Sequence, residues 1–187
     1  MEKLYETERL ILRCFTDGDA QALYENHLND EVRTWFPNEC YADAGEALEA
    51  IRFYAACVRK GRLPFVLGAE LKATGELIGD AGVNEVEGKP GEVEVGYCIG
   101  RPYRRRGYAA ELLRAVSGCI AARFGIGVMY GRVVRGNEAS VKVLERNDFR
   151  FEREEFGTED DPDGRGMLVY KKELNTALRR REGAGRT

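Results

Sequence analysis

The run Arg9-Leu10-Ile11-Leu12-Arg13 is short and β-rich, and the Asp17-Gly18-Asp19 cluster after it can end a strand and cap a helix. Ala20, Leu23, Tyr24, His27 and Leu28 then recur at helical spacing, as do Ala47, Ile51, Tyr54 and Val58 further on. The pattern thus predicts one strand followed by two helices. Pro37 lies in the loop between the helices, and Lys60-Gly61 ends the second. From Leu63 to Ile99 the period changes. Phe65-Val66-Leu67, the stretch from Glu76 through Val83, and Glu92 through Tyr97 are β-type runs separated by glycine-rich turns, which predicts an antiparallel meander. Ala109, Leu112, Leu113, Val116 and Ile120 trace the apolar face of a third helix, and Val128 through Val134 reads as a strand. Asn137 opens a fourth helix carrying Val141, Val143 and Leu144. Two closing strands flank the polar turn Asp160-Asp161-Pro162-Asp163-Gly164.

No repeat or linker interrupts this order, and 187 residues that are 43% hydrophobic suit one core. The expectation is a single domain over residues 1–174, followed by a polar, basic tail over 175–187. A formal charge of -3 gives no global field toward nucleic acid or an anionic membrane. The short clusters Arg101 to Arg106 and Arg179-Arg180-Arg181 make nucleic-acid binding a weaker reading. The charged start and the lack of a long apolar run point away from secretion and membrane insertion. The five cysteines lie far apart, without zinc-site or redox-motif spacing, and read as buried thiols of a cytoplasmic protein. The lone His27, on a helix face with Leu23 and Leu28, reads as a packed or surface side chain. No metal site is expected.

The most informative segment is Ile99-Gly100-Arg101-Pro102-Tyr103-Arg104-Arg105-Arg106-Gly107-Tyr108-Ala109. It places a strand end, a basic turn and a helix start in succession. The first N–H groups of a helix have no internal acceptor and the helix dipole favours negative charge there, so Gly107 and Ala109 would let a phosphate approach the main chain. Taken alone, the segment also fits a solvated turn with surface arginines. However, Arg104 to Ala109 resembles the Q/R-x-x-G-x-G/A motif with which the GNAT acetyltransferases bind the coenzyme A pyrophosphate. Asn137 to Phe149 resembles the same family's N-x-x-S-x-x-x-L-E-x-x-G-F helix, and Thr7 to Arg13 resembles the first strand of its RimJ/RimL branch. Asp148 stands where the family usually has glycine, at a left-handed helix end that Asp and Asn tolerate at a cost of about 1 kcal/mol. Leu144 stands where relatives in other branches carry a tyrosine proposed as general acid.

The resemblance implies a mixed α/β (α+β) fold: a largely antiparallel sheet of about seven strands, with helices on both faces and a split near the middle that admits coenzyme A. It also implies an N-acetyltransferase that moves an acetyl group from acetyl-CoA to a protein N-terminal or small-molecule amine. The implied coenzyme-binding residues are Tyr97, Cys98, Ile99, Arg104, Arg105, Arg106, Gly107, Tyr108, Ala109, Asn137 and Ser140, with main-chain N–H groups near Tyr97 and Cys98 polarising the carbonyl. Ser140 is the candidate donor to the leaving sulfur. Glu94, preferred to Glu92 on the same face, is the candidate base. Cys98 reads as a wall residue, since the segments around it offer no histidine to activate it. Trp35, Phe36 and Tyr41 are candidates for the acceptor mouth or for closing the core, and the acidic turn from Glu159 to Asp163 could attract a cationic acceptor. No acceptor motif can be decoded, a homodimer is left open, and a non-catalytic acyl-CoA-binding module is the alternative.

Overall fold

A computed structural model describes residues 3–28, 34–35, 40–158, 161 and 163–174. Phe36, Pro37, most of the acidic turn (Glu159, Asp160 and Pro162) and the basic tail lie outside these described residues. Strands β1 (Lys3–Glu6) and β2 (Leu10–Arg13) lead through a 3-10 turn to α1 (Ala20–His27) and α2 (Ala44–Lys60). A meander of β3 (Phe65–Leu71), β4 (Leu77–Glu85) and β5 (Glu92–Ile99) follows. Then come α3 (Tyr108–Phe124), β6 (Val128–Val134), α4 (Glu138–Glu145), β7 (Arg150–Glu155) and β8 (Met167–Glu173).

The strands form one sheet in the order β1-β2-β3-β4-β5-β6-β8-β7, antiparallel throughout except where β5 meets β6. It has eight strands rather than about seven. The addition is the charged edge strand β1, which is mostly exposed and lacks the apolar alternation that would announce it. Strand alternation sends side chains to two cores. Phe65, Leu67, Val93 and Val95 pack with Leu112, Leu113 and Val116 of α3. On the opposite face Val66 meets Leu23 of α1 and Ile51 of α2. Helices therefore cover both faces.

Local chemistry sets the element ends. Asp43 caps α2 by accepting from the Gly45 and Glu46 N–H groups at 2.7 and 2.9 Å, and Gly61, at φ 61, ends the helix. Asp19 turns back instead, accepting from Thr16 N–H and from a buried Arg13 that also binds Glu70. This network ties β2 and β3 to the start of α1, which fixes where the far end of α1 lands. There Asn26 donates to the Leu77 carbonyl and packs on Gly100 so closely that a Cβ at Gly100 would lie 2.0 Å from its Oδ1.

Pairing between β5 and β6 spans only Glu92↔Val128, Val93↔Met129 and Glu94↔Tyr130. Beyond it, β5 stays on β4 as far as Ile99 while β6 follows β8 through Val134. The two strands diverge and leave the last residues of β5 with an open edge, at the middle of the sheet where a split was expected.

Candidate functional site

The divergence opens into a cleft of about 570 Å³ between β5, the start of α3 and the start of α4. Gly107 begins α3 at φ 82, a conformation that favours glycine, and no side chain caps this end. The first helical bond runs from Glu111 N–H to the Gly107 carbonyl at 3.2 Å. The N–H groups of Tyr108, Ala109 and Ala110 precede it without intrahelical acceptors. Arg104 and Arg105 line the cleft beside them, and Arg104 Nε donates to the Ile99 carbonyl at 2.8 Å. Arg106 is absent from the lining; its carbonyl accepts from Arg9 Nη1 at 2.9 Å.

Arg9 is a support that local sequence reading missed. It pairs with Glu111 at 2.6 Å, lies 4.4 Å from the centre of the Tyr108 ring and borders Gly107. This pairing offsets an acidic side chain in the first turn of α3, where a negative charge would oppose anion binding. Lys142 and Arg146 also face the cleft from α4. Their four-residue spacing on a predicted helix was the available signal.

On β5 the main chain alternates. The Gly100 N–H bonds the Ile78 carbonyl, and the Glu92 carbonyl accepts from Val86 on the β4 side. The even residues, Cys98 included, therefore turn their N–H groups toward β4, while Tyr97 and Ile99 turn theirs to the open edge. Of the two positions suggested for polarising a carbonyl, Tyr97 fits and the Cys98 N–H does not, although Cys98 itself lines the cleft. The Tyr97 hydroxyl lies 2.9 Å from Ser140 Oγ. Burial pushes its pKa up to about 12 despite the opposing effect of that bond, so the phenol stays protonated. Asn137 Oδ1 accepts from the Ser140 N–H at 3.1 Å and fixes the first turn of α4.

Leu144 is 1% exposed and packs on Gly131, where a Cβ would lie 2.6 Å from its side chain. No acid stands at that position. Asp148 adopts φ 65, the left-handed conformation anticipated for it, while Asn147 instead donates to the Val143 carbonyl. Glu94 lies outside the cleft lining, with an oxygen 4.0 Å from Arg132, which also pairs with Glu155. Glu92 accepts from the Tyr130 hydroxyl. Trp35 reaches the cleft and borders Gly136. Tyr41 packs edge-on against His27 at 5.3 Å and joins the α1–α2 core.

His27 is a packed histidine, 3% exposed, as expected, but it is not remote from the site. Its Nε2 lies 2.8 Å from Asp80, the cross-strand partner of Cys98, whose thiol donates to the Asn26 carbonyl at 3.6 Å. Burial opposes its charge, yet Asp80 and Cys98 hold its pKa well above 6.5. A pKa raised by folding gives stability that is full below the unfolded value of 6.5 and lost as pH rises through the folded value. The melting-temperature advantage of wild type over His27→Gln is therefore expected to shrink as the pH is raised from about 6 to about 9. A thermal melt series in which the gap widens with pH would contradict this charge state.

A second concavity of about 850 Å³, between Gly61–Leu63 and the β4–β5 turn, is lined by Glu87, Lys89 and other charges of both signs, with no helix start among its residues. Among the described residues no group of His, Cys, Asp and Glu could hold a metal ion, and no helix is long and apolar enough to cross a membrane.

The GNAT acetyltransferase domain model matches residues 9–150. The chain belongs to the GNAT acetyltransferase family. This GNAT chain is 33% identical over 152 residues, covering 81% of its own length and 85% of the other's, to the N-acetyltransferase YoaA of Bacillus subtilis. It is 28% identical to the N-acetyltransferase p20 of Bacillus licheniformis, over 82% of its length and 84% of that protein's. Its fold is shared with RimL, a ribosomal L7/L12 alpha-N-protein acetyltransferase solved with coenzyme A, at TM-score 0.79 and 18% identity over 94% of this chain and 99% of that one. A ribosomal-protein-S5-alanine acetyltransferase from Vibrio fischeri matches equally, at TM-score 0.79 and 16% identity over 91% and 96%. The family is that of acetyl-CoA-dependent N-acetyltransferases, and the cleft of this GNAT member has the charge and open main chain that such a cosubstrate requires.

Proposed function

We propose that this GNAT protein acetylates a primary amine, a protein N-terminus or a small molecule, by direct attack within a ternary complex, in the manner of the RimJ/RimL branch. The observation that carries this is the divergence of β5 from β6 beside an uncapped helix start, with Tyr97 and Ser140 in contact across the gap. Bound acetyl-CoA supplies an activated thioester. The α3 N–H groups with Arg104 and Arg105 hold its pyrophosphate, and the open N–H groups of Tyr97 and Ile99 hold the pantetheine and polarise the carbonyl. Ser140 donates a hydrogen bond to the departing sulfur, with Tyr97 fixing its hydroxyl. Glu94, outside the cleft lining and beside Arg132, would reach the amine proton only through bridging water. The free cysteines suit a reducing cytoplasm.

Turnover of acetyl-CoA against a panel of amines and N-terminal peptides, read as free thiol release, tests the activity. Binding of coenzyme A with no turnover on any amine would favour a non-catalytic module. For Tyr97→Phe, loss of the hydroxyl that fixes Ser140 is expected to lower kcat by roughly five- to tenfold, the value of about one hydrogen bond, with the KM for acetyl-CoA nearly unchanged. An unchanged kcat would remove Tyr97 from the relay.

A further inference from the structure

Among the described residues lining the coenzyme cleft, all but one come from β5, the phosphate turn, α3, the turn after β6 and α4. The exception is Trp35, which arrives from the segment between α1 and α2. Its Cη2 lies 3.7 Å from where a Cβ would stand at Gly136, one residue before the Asn137 that caps α4 and fixes Ser140. A Cβ at Gly107 would meet Arg9 and no part of the indole. The ring therefore stands beside the first turn of α4, where the sulfur is received, and not at the α3 start that takes the phosphates.

Trp35 is not held as a core side chain. Among the described residues it belongs to neither hydrophobic core, and a charged side chain holds it instead. The Arg165 guanidinium lies 5.2 Å from the centre of its ring, and Arg165 Nη2 donates to the Thr34 carbonyl at 3.2 Å. Arg165 is itself fixed. Asp163 accepts from its Nη2 at 2.8 Å, and buried Asp161 accepts from the Arg165 and Gly166 N–H groups at 2.8 and 2.7 Å. The cation on the ring and the bond to the adjacent backbone together pin a large flat side chain in one place.

An acyl group on coenzyme A extends past the sulfur, away from the phosphates. A pinned aromatic wall there leaves room for few carbons, because overfilling a packed site forces its neighbours to move. We propose that Trp35, held by Arg165, is the stop that sets acyl-chain length, admitting acetyl and excluding longer acyl groups. This inference rests on the cleft holding acetyl-CoA with its sulfur at Ser140. Trp35 is then a specificity-determining residue, and Arg165 a positioning residue that acts through it.

Calorimetry on the whole protein with coenzyme A, acetyl-CoA and hexanoyl-CoA tests it. Wild type is expected to bind acetyl-CoA at least tenfold more tightly than hexanoyl-CoA, since one methylene in a fitted pocket is worth roughly tenfold or more. Folded Trp35→Ala is expected to lose this ratio or reverse it, because the freed space buries the chain. Arg165→Ala keeps the indole but releases it, and is expected to narrow the ratio by about threefold, with Arg165→Lys, which keeps a cation near the ring, closer to wild type. Trp35 is the sole tryptophan of the chain, so its fluorescence gives a direct signature. Acrylamide is expected to quench it more strongly in Arg165→Ala, and its emission at saturation to differ between coenzyme A and acetyl-CoA. If wild type binds hexanoyl-CoA as tightly as acetyl-CoA, or folded Trp35→Ala keeps the preference, this inference is overturned while the transferase reading stands. If coenzyme A does not bind, both fall.

Discussion

Gly107→Glu is expected to abolish coenzyme A binding while leaving the protein folded. Gly107 holds φ 82, and a Cβ there would lie 3.4 Å from Arg9 Nη2. Any side chain is strained by about 1–2 kcal/mol in that conformation, a modest cost for a well-packed domain. The larger effect is electrostatic. The side chain emerges at the helix start where N–H groups converge, so a carboxylate takes the place of the phosphate and repels what remains of the ligand. It can also draw Arg9 away from Glu111, exposing a second negative charge to the site. Gly107→Ala separates strain from charge: it is expected to weaken binding by roughly tenfold, about the same free energy as the conformational strain. Calorimetry on variants with native circular dichroism checks both. Unchanged affinity in Gly107→Glu would show that the pyrophosphate lies elsewhere.

How far such a site can be read from sequence depends on whether its parts are local. The turn from Ile99 to Ala109 and the helix from Asn137 each carry their chemistry within a dozen residues, so their spacing announced an anion site and a capped helix. Asp148 is the same kind of case, because the conformation it must adopt is fixed by its place after the helix. Three features were not legible for the converse reason. Arg9 steadies the phosphate turn through Glu111, about a hundred residues away, and no periodicity links the two. His27 reads as a core residue because its own helix shows only Leu23 and Leu28. Its contact with Asp80, the cross-strand partner of Cys98, exists only once β4 and β5 pair and α1 crosses them. The edge strand β1 satisfies its backbone by pairing with β2 while, of its four side chains, Leu4 alone packs on the core, which is too little to make a hydrophobic pattern.

Ser140→Ala is expected to lower kcat by roughly ten- to a thousandfold with little change in coenzyme affinity, while Cys98→Ala keeps most of the amine-acetylating turnover. Leu144 is buried where an acid stands in other branches, so Ser140 with the protonated Tyr97 phenol is the arrangement in contact with the cleft that can donate to a departing thiolate. Removing the Ser140 hydroxyl takes away the donor and leaves Asn137 without effect on chemistry, because Asn137 binds the backbone N–H that alanine retains. The ground-state contacts of the coenzyme persist, and the loss appears in kcat. A burst of free coenzyme A before amine is added would show an acetyl-enzyme, but the burst by itself does not name the acceptor. Cys98→Ala does. If the amine attacks the thioester directly, this variant still turns over, with lines that intersect when both substrates are varied. If it is folded, binds coenzyme A and cannot acetylate any amine that wild type accepts, the acetyl group must pass through Cys98, and direct attack in a ternary complex is wrong.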